Sequence, residues 1–164
     1  MTSINVNFEN LTEDERAELE RLVDKSNKSS LQGFRPHYGE QYFYIDERGE
    51  VNFFYNRNSP YDKMCYSIGN CFKTKEEAEF EVEKLKIVAQ LKRMAKAWNT
   101  CEIDWEDEQQ LKYYLRYSSE GICWASTSLL QTGAIYFTDK EFCKAAIAFI
   151  GEERLKKYYF GVKK

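Results

Sequence analysis

The sequence holds little of the chemistry that most enzymes and metal proteins use. Its single histidine, His37, lies in the predicted loop FRPHYGE, so a Cys–His or Ser–His–Asp site would have to use that one imidazole. There is no C-x-x-C pair, no P-loop and no G-x-G-x-x-G fingerprint. These absences predict a protein that is not an enzyme and that binds no cofactor and no metal. A hydrolase that uses carboxylates alone is the catalytic class left open.

Cysteine is present in an odd number and at irregular spacing, which matches neither a disulfide framework nor a zinc site. We therefore expect each cysteine to be reduced and to be buried as a small apolar residue. The five are Cys65, Cys71, Cys101, Cys123 and Cys143.

Proline and glycine are scarce, at 2 and 8 residues, which excludes collagen-like and low-complexity chains. No apolar run approaches the roughly 20 residues of a membrane span, and the first ten residues lack the basic start and apolar stretch of a signal peptide. We therefore expect a soluble cytoplasmic protein with no membrane contact. A net charge of -3 argues against strong nonspecific attraction to nucleic acid, and 16% aromatic residues favours a packed core.

Residues 1–30 are predicted to form an extended arm followed by a helix. Ile4, Val6 and Phe8 alternate with polar residues, which is the period of a strand. Thr12 followed by Glu15 is a capping box that opens the helix TEDERAELERLVDKS. The polar tract SNKSSLQG then predicts a linker.

An internal repeat is the most informative pattern in the sequence. The segment 41–56 has two aromatic, β-prone runs around a turn at 47–50, and the segment 112–126 has two more around a turn at 119–121. Both segments are predicted β-hairpins. A polar loop, RNSPYDK, is predicted after the first hairpin, and a shorter loop after the second.

The motif G-x-x-[FY]-x-T-x-x-E follows each loop, and the two copies align at one constant offset. Its threonine and glutamate predict a capping box at the start of a helix, and its glycine permits a positive φ. We expect Thr74 and Thr138 to be equivalent N-caps. The aligned pairs are Gly69 with Gly133, Phe72 with Tyr136, Thr74 with Thr138, Glu77 with Glu141, Val82 with Ala146, and Leu85 with Phe149.

These patterns predict an α+β fold of two ββα repeats, each an antiparallel hairpin plus a helix, with an N-terminal helix before them. The first unit covers 39–98, and its helix runs from about Lys75 to Trp98. The second unit covers 112–164; its helix stops at Gly151, and the short helix EERLKKYYF follows. Whether the hairpins share one sheet or form two small domains is left open.

The connector 99–111 between the predicted units is strongly acidic. Its segment CEIDWEDEQQ surrounds a tryptophan with five carboxylates, which fits docking against the arginines of a partner, or imitation of a phosphate backbone. The alternatives are a solvated loop with the tryptophan in the core, and a divalent metal site that lacks EF-hand spacing. The predicted partner-binding residues here are Asp104, Trp105, Glu106, Asp107 and Glu108.

The first predicted strand adds two further candidates, Tyr42 and Tyr44. Alternation along a strand sends both to one sheet face, which we expect to show tyrosines to solvent as a protein interface or a base-stacking platform. Core packing and sheet propensity explain most of the aromatic residues in the strands; a protein interface ranks next and a base-stacking site last. The basic, aromatic tail RLKKYYFGVKK either contacts nucleic acid or anchors the C-terminus.

The segments GEQYFYIDERGEV, GNCFKTKEEAE, KYYLRY and IGEERLKKYYFGV together resemble a group of small phage and prophage proteins of Firmicutes. The resemblance spans about 39–162, and GNCFKTKEEAE and the C-terminal segment are its most specific parts. It implies a phage-accessory context without catalytic residues. Here FRPHYGEQY lacks the tryptophan that is common near the start of such hairpin modules, which puts in doubt a partner contact at that point.

Short acidic phage proteins of no enzymatic type are often inhibitors of host defence, including anti-CRISPR proteins. The resemblance therefore implies a non-enzymatic protein of the host bacterial cytoplasm that binds and inhibits a bacterial defence protein, such as a CRISPR-Cas nuclease. A nucleic-acid-binding phage regulator, and a nucleotide-binding sponge with a pocket between the repeats, are the alternatives. The oligomeric state is left open.

Overall fold

The computed structural model describes residues 11–26 and 34–162, so the predicted strand at Ile4–Phe8 and nearly all of the predicted linker lie outside the described residues. The elements are α1 (Glu13–Ser26), β1 (Gln41–Ile45), β2 (Val51–Tyr55), α2 (Pro60–Ser67), α3 (Lys75–Trp98), β3 (Lys112–Ser118), β4 (Gly121–Thr127), β5 (Tyr136–Phe137), α4 (Lys140–Ile150) and α5 (Glu152–Arg154), which a π-helical turn continues over Leu155–Tyr159.

The protein is a mixed α+β chain, as the sequence predicts, and its two small antiparallel sheets answer a question that the sequence left open. The described residues form a two-stranded sheet, β1–β2, and a three-stranded sheet in the order β4–β3–β5. Two compact units contain one sheet each; the first ends at Glu79 and the second begins at Phe80, within α3. The finer domain bounds that the sequence suggests stay a prediction.

The first unit is built around the hairpin of β1 and β2, which pairs Gln41 with Tyr55 and Ile45 with Val51. Asp46 closes the turn, because its Oδ1 accepts hydrogen bonds from the amides of Arg48 and Glu50, each at 2.9 Å. Burial is one-sided, since the core of the unit contains residues of β1 and none of β2. That core is Tyr42, Tyr44, Cys65 and Cys71.

Helix α2 begins within the segment RNSPYDK, which the sequence analysis predicted as a polar loop, so that prediction was wrong from Pro60 onward. Ser59 caps the helix through a capping box, in which its hydroxyl accepts from the Asp62 amide at 3.2 Å and the Asp62 carboxylate accepts from the Ser59 amide at 2.9 Å. Pro60 occupies the first helical turn, where its missing amide hydrogen costs nothing. The sequence S-P-Y-D therefore carries a helix-start signal that the high polarity of the segment obscured.

Helix α1 begins as its capping box predicts. The Glu15 carboxylate accepts from the Thr12 amide at 2.9 Å, and the Thr12 hydroxyl accepts from the Glu15 amide at 3.4 Å. Contacts with the segment before β1 hold the helix in the first unit, because Tyr38 donates its hydroxyl to Glu13 at 3.0 Å and its amide to Glu20 at 3.2 Å.

The second unit holds the larger core. Its sheet packs against α3 and α4 through Leu115 of β3 and Phe137 of β5, which are 6% and 0% exposed. Leu155, in the π-helical turn, is fully buried in the same cluster. The other buried members are Ile87, Leu91, Met94, Ala95, Cys143, Ala146 and Ile150.

Helix α3 begins with the capping box that the repeat motif predicts. Thr74 Oγ1 accepts from the Glu77 amide at 3.2 Å, and the Glu77 carboxylate accepts from the Thr74 amide, also at 3.2 Å. The helix ends at Trp98, as predicted.

Helix α4 begins differently, and the prediction that Thr138 is its N-cap was wrong. The cap is Asp139, whose carboxylate accepts from the Glu141 amide at 2.9 Å. Thr138 Oγ1 accepts instead from the amide of Thr100 at 3.2 Å. Because aspartate is the better capping residue and the threonine hydroxyl is already bonded, the helix starts one residue later.

The cysteines are all free, but they are not all buried as predicted. Cys65, Cys71 and Cys143 are buried, whereas Cys101 is exposed and Cys123 is half-buried. Burial raises the pKa of Cys71 and of Cys143 to about 12, so both stay neutral thiols at physiological pH.

Candidate functional site

The acidic connector, residues 99–111, is a loop that its own side chains hold in place. Asp104 Oδ1 accepts from the Glu106 amide at 2.8 Å, and Asp107 Oδ1 accepts from the Gln109 amide at 2.8 Å. Gln110 bridges the loop, because its Oε1 accepts from the Asp104 amide at 2.8 Å and its Nε2 donates to the Glu102 carbonyl at 2.9 Å. The connector is therefore ordered before any partner arrives.

Trp105 stands at the centre of the connector and is 40% exposed. One side of its ring system meets Tyr136 edge-on, with 4.8 Å between ring centroids. The ammonium of Lys112 lies 5.5 Å from the Trp105 ring centroid and donates to the Asp107 carbonyl at 2.6 Å. The indole is thus fixed in orientation while two-fifths of its surface faces water, so the alternative that placed it in the core was wrong.

The four predicted carboxylates of the connector are all exposed. Asp104 and Asp107 use one oxygen each to hold the backbone, and Glu106 and Glu108 flank the tryptophan in sequence. The cation that lies near the Trp105 ring is Lys112, which is itself buried. The arrangement presents one aromatic anchor within a dense negative field.

Tyr42 and Tyr44 do not face solvent, so that part of the sequence prediction was wrong. They are 0% and 9% exposed and form the core of the first unit. The Tyr42 hydroxyl donates to Asp62 Oδ1 at 2.7 Å. Burial, together with this bond to a carboxylate, raises the pKa of Tyr42 far above its ordinary value. The two tyrosines are therefore core residues of the first unit, separate from the connector, which lies in the second.

Asp62 is the polar centre of that core. It accepts hydrogen bonds from the Tyr42 hydroxyl, from the amide of Arg57 at 3.1 Å and from the hydroxyl of Ser59 at 2.7 Å. Burial by itself would raise the pKa of Asp62, but the bonds from Ser59, Tyr42 and Arg57 outweigh it and hold the pKa below the ordinary value. Asp62 is therefore a buried anion that organises structure.

The aromatic surface of the first unit lies on β2, which the sequence analysis did not single out. We define the β2 aromatic surface as the exposed rings on the two faces of β2, Phe53, Phe54 and Tyr55, together with Tyr61 of α2; they are 54%, 44%, 52% and 41% exposed. Phe54 stacks on Tyr44 with 5.0 Å between centroids, and Tyr61 meets Phe54 edge-on at 5.5 Å. Together with Arg57, the last three of these residues line a cleft of about 570 Å³.

A sequence signal for this surface existed. The run FFY in β2 places consecutive rings on opposite faces of a strand, and only one face of a two-stranded sheet can pack on a core. Among the described residues, β2 pairs with no strand except β1, so its outer edge is also open.

Among the described residues, no helix is both long enough and apolar enough to cross a membrane, and no group of three or more metal-ligating side chains is clustered. Comparison of the chain with protein families, with curated proteins and with solved structures finds no match.

Proposed function

We propose that this chain is a non-enzymatic binding protein that docks onto another protein through its acidic connector. The observation that carries the proposal is Trp105, a half-exposed indole held rigid by Tyr136 and Lys112 inside a loop of exposed carboxylates. Tryptophan is enriched among the residues that dominate binding energy, and a preordered loop loses little entropy when it binds. The partner surface that complements it is basic and contains an apolar pocket.

The resemblance to phage proteins supports a bacterial defence protein as the partner, with a CRISPR-Cas nuclease as the first candidate. Nucleases of this kind carry basic channels that hold nucleic acid. An acidic loop with an aromatic anchor competes for such a channel, since its carboxylates meet the arginines and lysines that otherwise contact phosphate. The proposal places the protein in the cytoplasm of the bacterial host.

A cleavage assay with a purified CRISPR-Cas nuclease tests this function. We expect the protein to slow DNA cleavage, and a variant with a neutral connector to need at least tenfold higher concentration for the same effect. The connector variant carries Asp104→Asn, Glu106→Gln, Asp107→Asn and Glu108→Gln. The asparagines keep an Oδ1 acceptor, so the hydrogen bonds that order the loop are retained.

A matched control removes four negative charges from exposed glutamates outside the connector. It carries Glu47→Gln, Glu50→Gln, Glu76→Gln and Glu120→Gln. We expect this control to inhibit as the wild type does. If the connector variant also inhibits normally, the connector is not the binding surface; if no tested nuclease is slowed, the defence partner is wrong.

The β2 aromatic surface favours a second candidate function, single-stranded nucleic-acid binding. Phe53 and Tyr55 are more than half exposed and lie 6.1 Å apart, centroid to centroid, and Arg57 follows them in the chain. Exposed rings beside a cation are the elements of a base-stacking site. A mobility-shift assay with single-stranded DNA at low salt tests this function. If the protein shifts the DNA, the double variant Phe53→Thr with Tyr55→Thr should remove that shift. No shift at micromolar protein excludes the function.

The finer architecture is part of the same proposal: the two hairpin–helix arrangements are copies of one ββα repeat. Gly69 and Gly133 share a left-handed backbone, with φ of 74° and 80°. Phe72 pairs with β1, and Tyr136 pairs with β3, so each motif aromatic lies beside the first strand of its own hairpin. These shared features support a duplication, and they imply that binding surfaces arose where the copies differ.

A further inference from the structure

A cleft of about 630 Å³ lies within the second unit, between α3 and the C-terminal segment 153–162. Its apolar wall is made by Phe80 and Tyr158, whose ring centroids are 5.1 Å apart with the planes inclined at 50°. The volume falls within the range of small-molecule sites, which is roughly 300–1,000 Å³. Two inclined rings at the entrance offer a surface on which a planar group stacks.

The backbone at this cleft is a π-helical turn. The amide of Phe160 donates to the carbonyl of Leu155 at 3.0 Å, five residues back, and the amide of Val162 donates to the Lys156 carbonyl at 3.0 Å. Leu155 is fully buried and fixes the turn to the core of the unit. Single π-turns are uncommon and concentrate at functional sites, because the wider turn redirects the side chains that follow.

The rim of the cleft is basic. Arg154, Lys156 and Lys157 line it, against one carboxylate, Glu153. Arg154 is held by Glu83 at 3.0 Å, and hydrogen bonds from Lys86 and then Arg154 keep the pKa of Glu83 below its ordinary value. Lys156 and Lys157 form no ion pair with any carboxylate in the described part of the chain, so their charge is available to a ligand.

We infer that this cleft binds a mononucleotide, with the base stacked on Tyr158 and Phe80 and the phosphates facing Lys156 and Lys157. The Lys157 ammonium lies 4.7 Å from the Tyr158 ring centroid, so a ring and a cation, the two groups that a nucleotide needs for its base and its phosphates, are adjacent in this cleft. An apolar ligand would not use the charge of the two ammonium groups, and a simple anion would leave the rings unused.

Isothermal titration calorimetry of the full chain with ATP tests the inference, with adenosine and tripolyphosphate as separate titrants. We expect ATP to bind at least tenfold more tightly than either part alone, since each part uses only one half of the site. The variant Lys156→Gln with Lys157→Gln weakens ATP binding at least tenfold and leaves adenosine binding unchanged. Phe80→Leu, which keeps an apolar side chain without a ring, weakens ATP and adenosine alike.

The control Lys92→Gln with Lys96→Gln removes the same charge from two exposed positions of α3 outside the cleft, and it binds ATP as the wild type does. Three results would overturn the inference: no binding of ATP at millimolar concentration, equal binding of ATP and tripolyphosphate, or equal losses in the cleft and control variants. Because the connector is not involved, these results leave the proposed protein partner untouched.

Discussion

The two hairpins of this chain are both rich in aromatic residues, but their second strands differ in exposure. In the second unit, β4 is half-buried along most of its length, because Ile122 and Trp124 pack against the main core. In the first unit, β2 is exposed from Asn52 to Tyr55. The comparison shows that β-prone aromatic sequence fixes the hairpin, whereas helix packing decides whether its second strand becomes core or surface.

Among the described residues, only the sheet of the second unit has a third strand. Tyr136 and Phe137 form a strand against β3, whereas Phe72 makes a single bridge to Phe43. The backbone of Ile45 is instead satisfied by the side chain of Asn70, which accepts at 2.8 Å and donates at 2.7 Å. An amide side chain thus replaces a strand residue in the first unit, and the sheet stays smaller there.

The largest effect that separates the units is expected from Phe137→Ala. Phe137 is fully buried in the core of the second unit, and truncating such a ring costs about 3–5 kcal/mol through lost burial and the cavity that remains. Phe72 of the first unit, which aligns with Tyr136 in the motif, is only half-buried, so Phe72→Ala costs less. Urea unfolding followed by circular dichroism measures both; equal losses would contradict the difference in packing.

The next largest loss of stability is expected from Tyr42→Phe. The change removes the hydroxyl that donates to Asp62 and leaves a buried carboxylate with one bond fewer, at a cost of about 1–3 kcal/mol. The ring itself keeps its packing in the core. Tyr55→Phe removes a hydroxyl from an exposed ring and serves as the control, with an expected change near zero.

The same carboxylate predicts a pH dependence confined to the first unit. Since the folded-state pKa of Asp62 is below its unfolded value of about 3.9, its contribution to stability is complete above that value and is lost as pH falls through the folded pKa. Asp62→Asn should lower the free energy of unfolding of the first unit at neutral pH. It should also make that free energy fall less steeply as the pH is lowered into the acid range. Hydrogen exchange of the first unit, measured between neutral and acid pH, checks this. If the stability of the variant falls at acid pH as steeply as that of the wild type, the dependence belongs to other carboxylates.

The helix caps sharpen the comparison at a smaller scale. Thr74→Ala and Asp139→Ala should each cost about 1 kcal/mol, because each removes the acceptor for an amide in the first turn. Thr138→Ala should cost less, since its hydroxyl caps no helix and bonds instead to the amide and the hydroxyl of Thr100. Chemical denaturation of the three variants ranks them; a Thr138 loss equal to that of Thr74 would restore the equivalence that the motif predicts.

Local signals in the sequence were sufficient for much of the fold. The span of α3, both hairpin turns and the caps at Thr12 and Thr74 follow from capping boxes, turn residues and periodicity, which act over a few neighbouring residues. Helix α2 was missed because polarity outweighed the cap at Ser59. The exposure of side chains was harder to predict from the sequence. Tyr42 and Phe54 lie opposite each other in the hairpin, and only contacts from elsewhere in the unit decide that Tyr42 is buried and Phe54 is exposed.

The features of the candidate sites also separate into those that local sequence predicts and those that depend on contacts between distant residues. The connector was recognisable from its charge and its tryptophan, because five carboxylates in ten residues are visible without a structure. The contacts of Tyr136 and Lys112 with Trp105 could not be recognised in this way, since Tyr136 is distant from Trp105 in sequence. The basic cleft depends on Phe80 meeting Tyr158, which likewise joins segments that no local pattern links.

Hydrogen–deuterium exchange of the chain, alone and with its proposed partner, a CRISPR-Cas nuclease, tests the central claim most directly. We predict slower exchange on binding at residues 101–110, with Trp105 at the centre of the protected segment, and little change in the hairpin of the first unit. Protection confined to β2 or to the C-terminal segment, with the connector exchanging as in the free protein, would contradict the account.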